Sequence, residues 1–184
     1  VKAKANLWRG EVNYMFKNYA QAESDFKKHI SLLKQPKVDA YYSLGYAFFM
    51  QKMYSEAEKQ FTKYLAKNIK DKATKADAYN RKGDCLYMMK SYKNAIKAYS
   101  EAEKTYNLSA DYSLYMQGII YGVEKQHSEK IEALNSLIML YPQSSYAPKA
   151  MIEKGNAHIA LNESDEAIAS FAKVYDTYPK TNQA

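Results

Sequence analysis

The chain has 184 residues and a formal net charge of +7, and its length suffices for one domain or one continuous array with a sizeable core. Arg9 and Arg81 are the only arginines among its 27 basic residues, and the lysines are spread along the chain. Because nucleic-acid surfaces favour the planar arginine side chain, this distribution argues against nucleic-acid binding.

The first ten residues, VKAKANLWRG, are typical of a helix interior, so we expect the chain to be a fragment of a longer protein. Cys85 is the only cysteine, and we expect it to be a small buried apolar residue without a disulfide. The longest uncharged apolar stretch, from Tyr112 to Val123, is too short to span a bilayer. We therefore expect no direct membrane insertion.

Five of the six glycines recur at spacings of 35, 38, 35 and 37 residues, namely Gly10, Gly45, Gly83, Gly118 and Gly155. Twelve residues after each glycine stands a small residue, with one exception: Ala22, Ala57, Ala95, Lys130 and Ala167. Sixteen residues after each stands a large apolar or aromatic residue: Phe26, Phe61, Tyr99, Leu134 and Phe171. This register indicates an array of five repeats.

Each repeat divides into two helical segments joined by a short polar turn, such as QKMYS or KSYKN. Glycine in a helix interior costs about 1 kcal/mol relative to alanine, so a packing reason for it is expected. We predict that Gly45 and Ala57 meet where the two helices of one repeat cross, with Phe61 inserted beside them.

The pattern Y-x-x-L-G-x-x-F at 41–48, followed by A-x-x-x-F at 57–61, resembles the tetratricopeptide repeat, a helix–turn–helix unit of about 34 residues. The resemblance implies an all-α, right-handed superhelical solenoid of about five units, without any sheet. It covers the whole chain as a single array with repeats at about 3–37, 38–75, 76–110, 111–147 and 148–184.

Three of these repeats depart from the family pattern. Repeat 1 has Asn6 and Asn13 where large aromatic residues are usual, and repeat 5 has Met151 and His158 there. Repeat 4 has Lys130 at the small-residue position. We therefore expect its second helix to stand off, or the lysine stem to point outward.

The pairs Tyr141-Pro142 and Tyr178-Pro179 stand 37 residues apart, each after a predicted second helix, where proline stops the helix. Pro148 suits the first turn of the next helix. This arrangement resembles the repeats of bacterial cell-envelope proteins, such as Tol–Pal-associated periplasmic proteins, outer-membrane assembly lipoproteins and long Bacteroides-type repeat proteins. The likeness implies a location in the bacterial periplasm or cell envelope, with the cytoplasm as the alternative.

In the family, the first helices line a concave face, and its groove positions can be carried onto this sequence. The candidate partner-binding residues are Glu11, Tyr14, Tyr42, Tyr46, Phe49, Asn80, Asp84, Tyr87, Tyr112 and Tyr115. Because tyrosine offers a large contact area at a low entropy cost, the cluster favours a groove for a peptide of a protein partner. Asp39 and Asp77 would add to a mildly acidic character. The alternative for each ring is that it covers a neighbouring helix.

One subtype of the family is excluded by the same positions. Chaperone-tail receptors have lysine, asparagine and arginine where this chain has Leu7, Glu11, Asn80 and Asp84. A cationic clamp for a terminal carboxylate is therefore not expected.

No pattern of catalytic or metal-binding residues is recognisable in the sequence. The three histidines share no ligand spacing with one another or with Cys85, and no phosphate-binding glycine loop is present. The acidic run ESDEA reads as a helix start capped by Ser164 or Asp165. We therefore expect no enzymatic activity, no metal and no cofactor.

Two classes of function remain. The first is a protein-binding module, a scaffold for a bacterial envelope assembly. The second is an architectural or oligomerising spacer within a larger protein. The spacer function is suggested by the last helix. We expect this helix to expose Ile168, Phe171 and Val174, which would allow self-association.

Overall fold

The computed structural model describes residues 1–179. Every secondary-structure element in that part of the chain is an α- or 3₁₀-helix, which confirms the all-α prediction. A short 3₁₀ turn, Asn107–Ser109, precedes the seventh helix. The ten α-helices are α1 (Lys2–Met15), α2 (Tyr19–Ser31), α3 (Asp39–Met50), α4 (Tyr54–Leu65), α5 (Lys72–Met88), α6 (Tyr92–Thr105), α7 (Asp111–Val123), α8 (His127–Leu140), α9 (Ala147–Ala160) and α10 (Ser164–Thr177).

Contacts between helices group the chain into two compact units: residues 1–98, the N-terminal unit, and residues 99–184, the C-terminal unit. In the N-terminal unit α1 packs on α2, α2 on α3, α3 on α4 and α4 on α5. In the C-terminal unit α7 packs on α8, α8 on α9 and α9 on α10. Within each unit, helices that follow one another in the sequence therefore pack together, which is the order that helix–turn–helix repeats require.

The repeat glycines lie where a first helix meets a large side chain of its second helix. A Cβ atom built on Gly45 would lie 2.9 Å from Cε1 of Phe61, and its three nearest neighbours all belong to that ring. The predicted insertion of Phe61 beside Gly45 is therefore confirmed, and Gly45 and Ala57 are both buried. The glycine provides room for the ring sixteen residues later, because no side chain stands between the ring and the helix backbone.

The same pairing recurs in other repeats of both units. Built Cβ atoms would lie 2.6 Å from the ring of Phe26 at Gly10, 2.6 Å from Leu134 at Gly118 and 2.5 Å from the ring of Phe171 at Gly155. Real Cβ atoms do not approach a side chain so closely, so close packing explains the glycines, as predicted in general terms.

Each first helix ends with a residue in the left-handed region of φ, between 58° and 62°; these are Lys17, Lys52, Lys90, Lys125 and Asn162. The backbone N–H of Lys52 donates to Phe49 O (2.9 Å), and that of Met53 donates to Phe48 O (3.0 Å). This is the Schellman arrangement, and the equivalent pair of bonds closes all five first helices. Lysine is not the usual residue there, so the motif is not recognisable from the sequence.

The two asparagines by which repeat 1 departs from the family pattern bind a buried carboxylate and its counter-ion. Asp25 on α2 is 0% exposed. It accepts hydrogen bonds from the Arg9 guanidinium and from Asn13 Nδ2 (3.0 Å), while Arg9 Nη2 also donates to Asn6 Oδ1 (3.1 Å). The Arg9 bond holds the pKa of Asp25 below its ordinary value. Asn6 and Asn13 therefore replace aromatic residues because they bind this ion pair.

The expectation that Lys130 points outward, or that its helix stands off, is wrong. Lys130 is buried, and its Nζ lies 2.5 Å from Oε2 of Glu153 on α9. Its stem passes Gly122, where a built Cβ would lie 3.1 Å from Lys130 Cδ. Gly122, four residues after Gly118, therefore makes room for the lysine, and the counter-charge of the lysine lies on the next helix.

The two Tyr-Pro pairs follow the ends of α8 and α10, and Pro148 lies in the first turn of α9, as predicted. The Tyr141 hydroxyl donates to the carbonyl of Asn107, and the Tyr178 hydroxyl donates to the carbonyl of Pro142 (2.6 Å). Each tyrosine thus bonds to the connection that precedes its own repeat. These bonds fasten the end of a repeat to its beginning.

Two expectations for α10 are wrong. The helix begins at Ser164 with Glu163 as its N-cap and no side-chain cap, so neither Ser164 nor Asp165 caps it. The Glu163 carboxylate instead contacts Nδ1 of His158 at 2.6 Å, because the preceding Schellman turn places Glu163 beside the end of α9.

Of the three apolar residues expected to be exposed on α10, only Ile168 is exposed, at 66%. Val174 is 2% exposed, and Phe171 packs on Gly155 of α9. Ala167, Phe171 and Val174 are spaced at i, i+4 and i+7, so they share the face that packs on α9.

Gly118 and Gly122 allow a matched test of the packing account, since they lie one turn apart on α7. Alanine gains about 1 kcal/mol of helix propensity at either position. At Gly118 it would meet the buried Leu134, whereas at Gly122 it would meet a flexible lysine stem. We expect Gly118→Ala to be less stable than Gly122→Ala by about 1–3 kcal/mol in urea unfolding. Equal stabilities of the two variants would contradict the account.

Candidate functional site

Four of the predicted partner-binding residues line one pocket of the N-terminal unit. Glu11 and Tyr14 come from α1, and Tyr42 and Tyr46 come from α3. Ser43, which the sequence analysis did not select, completes the lining of a cavity of about 290 Å³, named here the tyrosine pocket. The first helices of the first two repeats therefore bring these groups together.

The rings of the tyrosine pocket pack edge to face. The Tyr46 ring centroid lies 5.0 Å from that of Tyr42 and 6.4 Å from that of Tyr14, with interplanar angles of 70° and 79°. Beneath them, Phe61 lies 5.5 Å from Tyr46 in the same kind of arrangement. Such geometry is favourable for aromatic pairs, so the pocket wall is continuous with the core of the repeat.

Asp77 of α5 holds the two tyrosines of α3 in place. Its Oδ2 accepts a hydrogen bond from the Tyr42 hydroxyl at 2.7 Å and another from the Tyr46 hydroxyl. Burial raises the pKa of both tyrosines well above the ordinary value, and Asp77 raises each further. Both phenols therefore remain protonated donors at neutral pH, and both rings are fixed across the α3–α5 interface.

The acidic residues of the predicted groove are largely bonded within the protein. Arg81 Nη1 lies 2.7 Å from Asp84 Oδ2, and its Nε lies 3.8 Å from Asp77 Oδ1. Glu11 Oε1 accepts a hydrogen bond from Ser43 Oγ (2.7 Å). Because Asp77 and Asp84 face a guanidinium, they give the surface less acidic character than the sequence implied.

The other predicted residues of the N-terminal unit do not line the tyrosine pocket. Asn80 and Asp84 are 9% and 6% exposed, which leaves little of either side chain for a partner to contact. Phe49 is half-buried against the Tyr54 ring, with the Arg81 guanidinium 5.8 Å from its centroid. Tyr87 packs against its neighbour Tyr92 with ring centroids 5.9 Å apart.

In the C-terminal unit, Tyr112 and Tyr115 both contact one further ring, which was not predicted to be part of the site. The Tyr146 ring, at the start of α9, stacks on Tyr115 at 5.0 Å and 29° and lies 5.7 Å from Tyr112. The sequence signal for Tyr146 was its position two residues before Pro148, because that proline indicates the start of a first helix. These three rings therefore cover one another in part.

Cys85 is fully buried, and burial raises the pKa of its thiol to about 12, so it remains a neutral thiol as expected. His29 Nδ1 lies 2.7 Å from the carbonyl oxygen of Ala3, in contact with the backbone. Within residues 1–179, no group of histidine, cysteine or carboxylate side chains is arranged to hold a metal ion. None of the helices described there has the length and apolarity needed to cross a membrane.

Two family models of the tetratricopeptide repeat match the sequence, one over residues 54–110 and the other over residues 39–68, 112–144 and 149–181. The chain therefore belongs to the tetratricopeptide repeat family. A comparison with curated protein sequences gave no match.

Three similar solved structures show the same solenoid fold. A crystal structure of MamA protein is 22% identical, with 97% of this chain and 93% of that chain covered and a TM-score of 0.84. MamA 41-end from Desulfovibrio magneticus RS-1 is 21% identical, with 98% and 97% covered and a TM-score of 0.81. YrrB, described as a TPR protein with an unusual peptide-binding site, is 17% identical, with 97% and 87% covered and a TM-score of 0.77.

The raised pKa values of Tyr42 and Tyr46 predict a loss of stability at alkaline pH. Tyrosines of the unfolded chain ionise near pH 10, whereas these two stay protonated in the folded chain. Their stabilising contribution is therefore complete below pH 10 and is lost as the pH rises above it. For Tyr46 the loss is up to about 1.4 kcal/mol per pH unit.

Urea unfolding of the wild type and of Tyr46→Phe between pH 8 and 11.5 measures this difference. Because the lysines titrate in both chains, the comparison is between the slopes of the unfolding free energy against pH. We expect the wild type to lose stability more steeply above pH 10. Parallel slopes would show that Tyr46 ionises freely in the folded chain.

Proposed function

We propose that this protein is a non-enzymatic interaction module, and that its tyrosine pocket binds a peptide or segment of a protein partner. The observation that carries the proposal is the pocket itself, in which Tyr14, Tyr42 and Tyr46 surround about 290 Å³ of open volume. Polar groups of Glu11 and Ser43 stand at the same surface. Aromatic walls with a few polar groups are the usual composition of binding hot spots.

The tyrosine pocket is organised before a partner arrives. Asp77 bonds the hydroxyls of Tyr42 and Tyr46, and Phe61 supports the Tyr46 ring from below. A partner therefore does not have to order these side chains, which reduces the entropy cost of binding. Tyr14, whose hydroxyl has no such bond to Asp77, forms the α1 wall of the pocket.

The family supports this proposal. Tetratricopeptide repeats are typically non-catalytic protein-interaction scaffolds. A peptide-binding site is also named for YrrB, a protein of similar fold. In this chain, Phe49, Tyr87, Tyr112 and Tyr115 remain predicted contact residues.

We further propose that the partner belongs to a bacterial envelope assembly and that the protein acts in the periplasm. The Tyr-Pro pairs at 141–142 and 178–179, in the form typical of envelope repeat proteins, support this location. The alternative is the cytoplasm. A signal peptide encoded upstream in the parent gene distinguishes the two.

A second candidate function is an oligomerising spacer, favoured by exposed apolar side chains. On α1, Trp8, Val12 and Met15 are exposed and recur at i, i+4 and i+7, so they form one stripe. On α10, Ile168 and Tyr175 are exposed. Within residues 1–179 nothing covers these faces, and they could serve contacts between copies.

Binding of dodecamer peptides, selected on the wild-type chain from a random library, tests the tyrosine pocket. Truncating Tyr42 and Tyr46 would also remove their bonds to Asp77, so Tyr14→Ala is the sharper variant. We expect it to weaken peptide binding by about tenfold or more, as for a hot-spot ring. The dissociation constant is measured by fluorescence anisotropy after circular dichroism has shown that the variant is folded.

Tyr175→Ala is the matched control, since Tyr175 is an exposed ring on α10 outside the tyrosine pocket. It should bind the selected peptides as the wild type does. Equal affinities of Tyr14→Ala and Tyr175→Ala would contradict the proposed site. Recovery of no peptide, together with a solution mass above that of one chain, would favour the spacer.

A further inference from the structure

A second pocket of the N-terminal unit lies beside the tyrosine pocket. Its volume is about 480 Å³, and it is formed where the first turn of α3 faces the end of α4 and the connection to α5. Asp39, Tyr42, Tyr64 and Asp71 are among the residues that line it, and it is named here the acidic pocket. Tyr42 lines both pockets and therefore forms the wall between them.

Of the two tyrosines that line the acidic pocket, Tyr64 is the one whose hydroxyl lacks a hydrogen bond within the described residues. The side chain is 2% exposed, and within residues 1–179 no donor or acceptor pairs with its oxygen. Tyr42, on the same wall, donates to Asp77. The Tyr64 oxygen is not one of the fully enclosed unpaired atoms of the described residues, so a group that enters the pocket can reach it. Tyr64 thus presents an unused hydroxyl to the pocket.

The charges around this hydroxyl are predominantly negative. Asp39 has no hydrogen bond or ion pair within the described residues, whereas Asp71 caps α5 by accepting from the backbone N–H of Ala73 (3.1 Å). Burial raises the pKa of Tyr64, and the charges of Asp39, Asp71 and Asp77 raise it further. Lys70 is the cation among the lining residues. An anionic ligand would therefore meet repulsion from the carboxylates.

We propose that the acidic pocket binds a basic side chain, lysine or arginine, of the peptide that occupies the tyrosine pocket. The Asp39 carboxylate accepts one N–H of the ammonium or guanidinium group, and the Tyr64 hydroxyl oxygen accepts another. The Tyr42 ring lies alongside the aliphatic stem. The inference rests on the proposed function, because the shared Tyr42 wall lets one peptide reach both pockets. It specifies a partner with a positive charge next to the group that fills the tyrosine pocket.

Nuclear magnetic resonance titration with a small probe tests the acidic pocket without any peptide. The probe is N-acetyl-L-arginine amide, and N-acetyl-L-citrulline amide is its neutral counterpart of nearly the same shape. We expect saturable shifts of the backbone amides at 38–42 and 66–74 with the arginine probe alone. Equal shifts with both probes, or no saturable shift with either, would overturn the proposal.

Two variants assign the interaction to the two groups. Tyr64→Phe removes an unpaired hydroxyl, so its thermal stability should equal or exceed that of the wild type. Its affinity for the arginine probe should fall by roughly threefold to tenfold, the effect of one net hydrogen bond. Asp39→Asn should lower the affinity for the arginine probe by a similar factor and should make that affinity less dependent on salt concentration.

Glu56→Gln is the matched control for Asp39→Asn. Glu56 is also a first-turn carboxylate, on α4, but it does not line the acidic pocket. It should bind the arginine probe as the wild type does. Wild-type affinity in both Tyr64→Phe and Asp39→Asn would overturn the proposal. A failure of the peptide selection, by contrast, would leave the probe result unchanged, so the two proposals can fail separately.

Discussion

The contact between a glycine of a first helix and a large side chain sixteen residues later sets how closely the two helices of a repeat approach. At Gly10, Gly45, Gly118 and Gly155 the space of a missing Cβ is taken by a ring or a leucine. A helix interior loses about 1 kcal/mol for each glycine, so the packing gain must exceed that loss. The register of the core, and hence the surface positions of each first helix, follow from this contact.

Polar groups are added to this framework in pairs. The buried Asp25 bonds to the exposed Arg9 and the half-buried Asn13, and the buried Lys130 pairs with the half-buried Glu153. A buried charge without its partner is strongly destabilising, so each pair must be kept or replaced as a whole. Repeats 1 and 4 depart from the family pattern at these positions because they satisfy charges that the other repeats do not contain.

The sequence predicted what depends on local periodicity. The spacing of the repeat glycines predicted the helix pairs, and the Tyr-Pro pairs predicted where α8 and α10 end. The left-handed residues, four lysines and Asn162, recur seven residues after each repeat glycine. They were missed because lysine has no intrinsic preference for that conformation. The exposure of Val174 was predicted wrongly because it depends on a tertiary contact. The cap of α10 was predicted wrongly because the Schellman turn at the end of α9 sets where the helix begins.

The candidate site was predictable only in part for the same reason. Glu11, Tyr14, Tyr42 and Tyr46 share a pocket because first helices of neighbouring repeats lie together. That Asp77 binds two tyrosines of the preceding repeat depends on side-chain geometry across 35 and 31 residues, which no local pattern reveals. The burial of Asp84 likewise depends on its pairing with Arg81. The acidic pocket arises from a connection, residues 66–71, that carries no repeat signature.

The most direct measurement of the central contact is a set of nuclear Overhauser effects between glycine Hα protons and side-chain protons sixteen residues later. The structure predicts strong cross-peaks from Gly45 to the ring of Phe61 and from Gly118 to the methyl groups of Leu134. Dominant cross-peaks from Gly45 to Ala57, with none to Phe61, would contradict this account of how the helices pack.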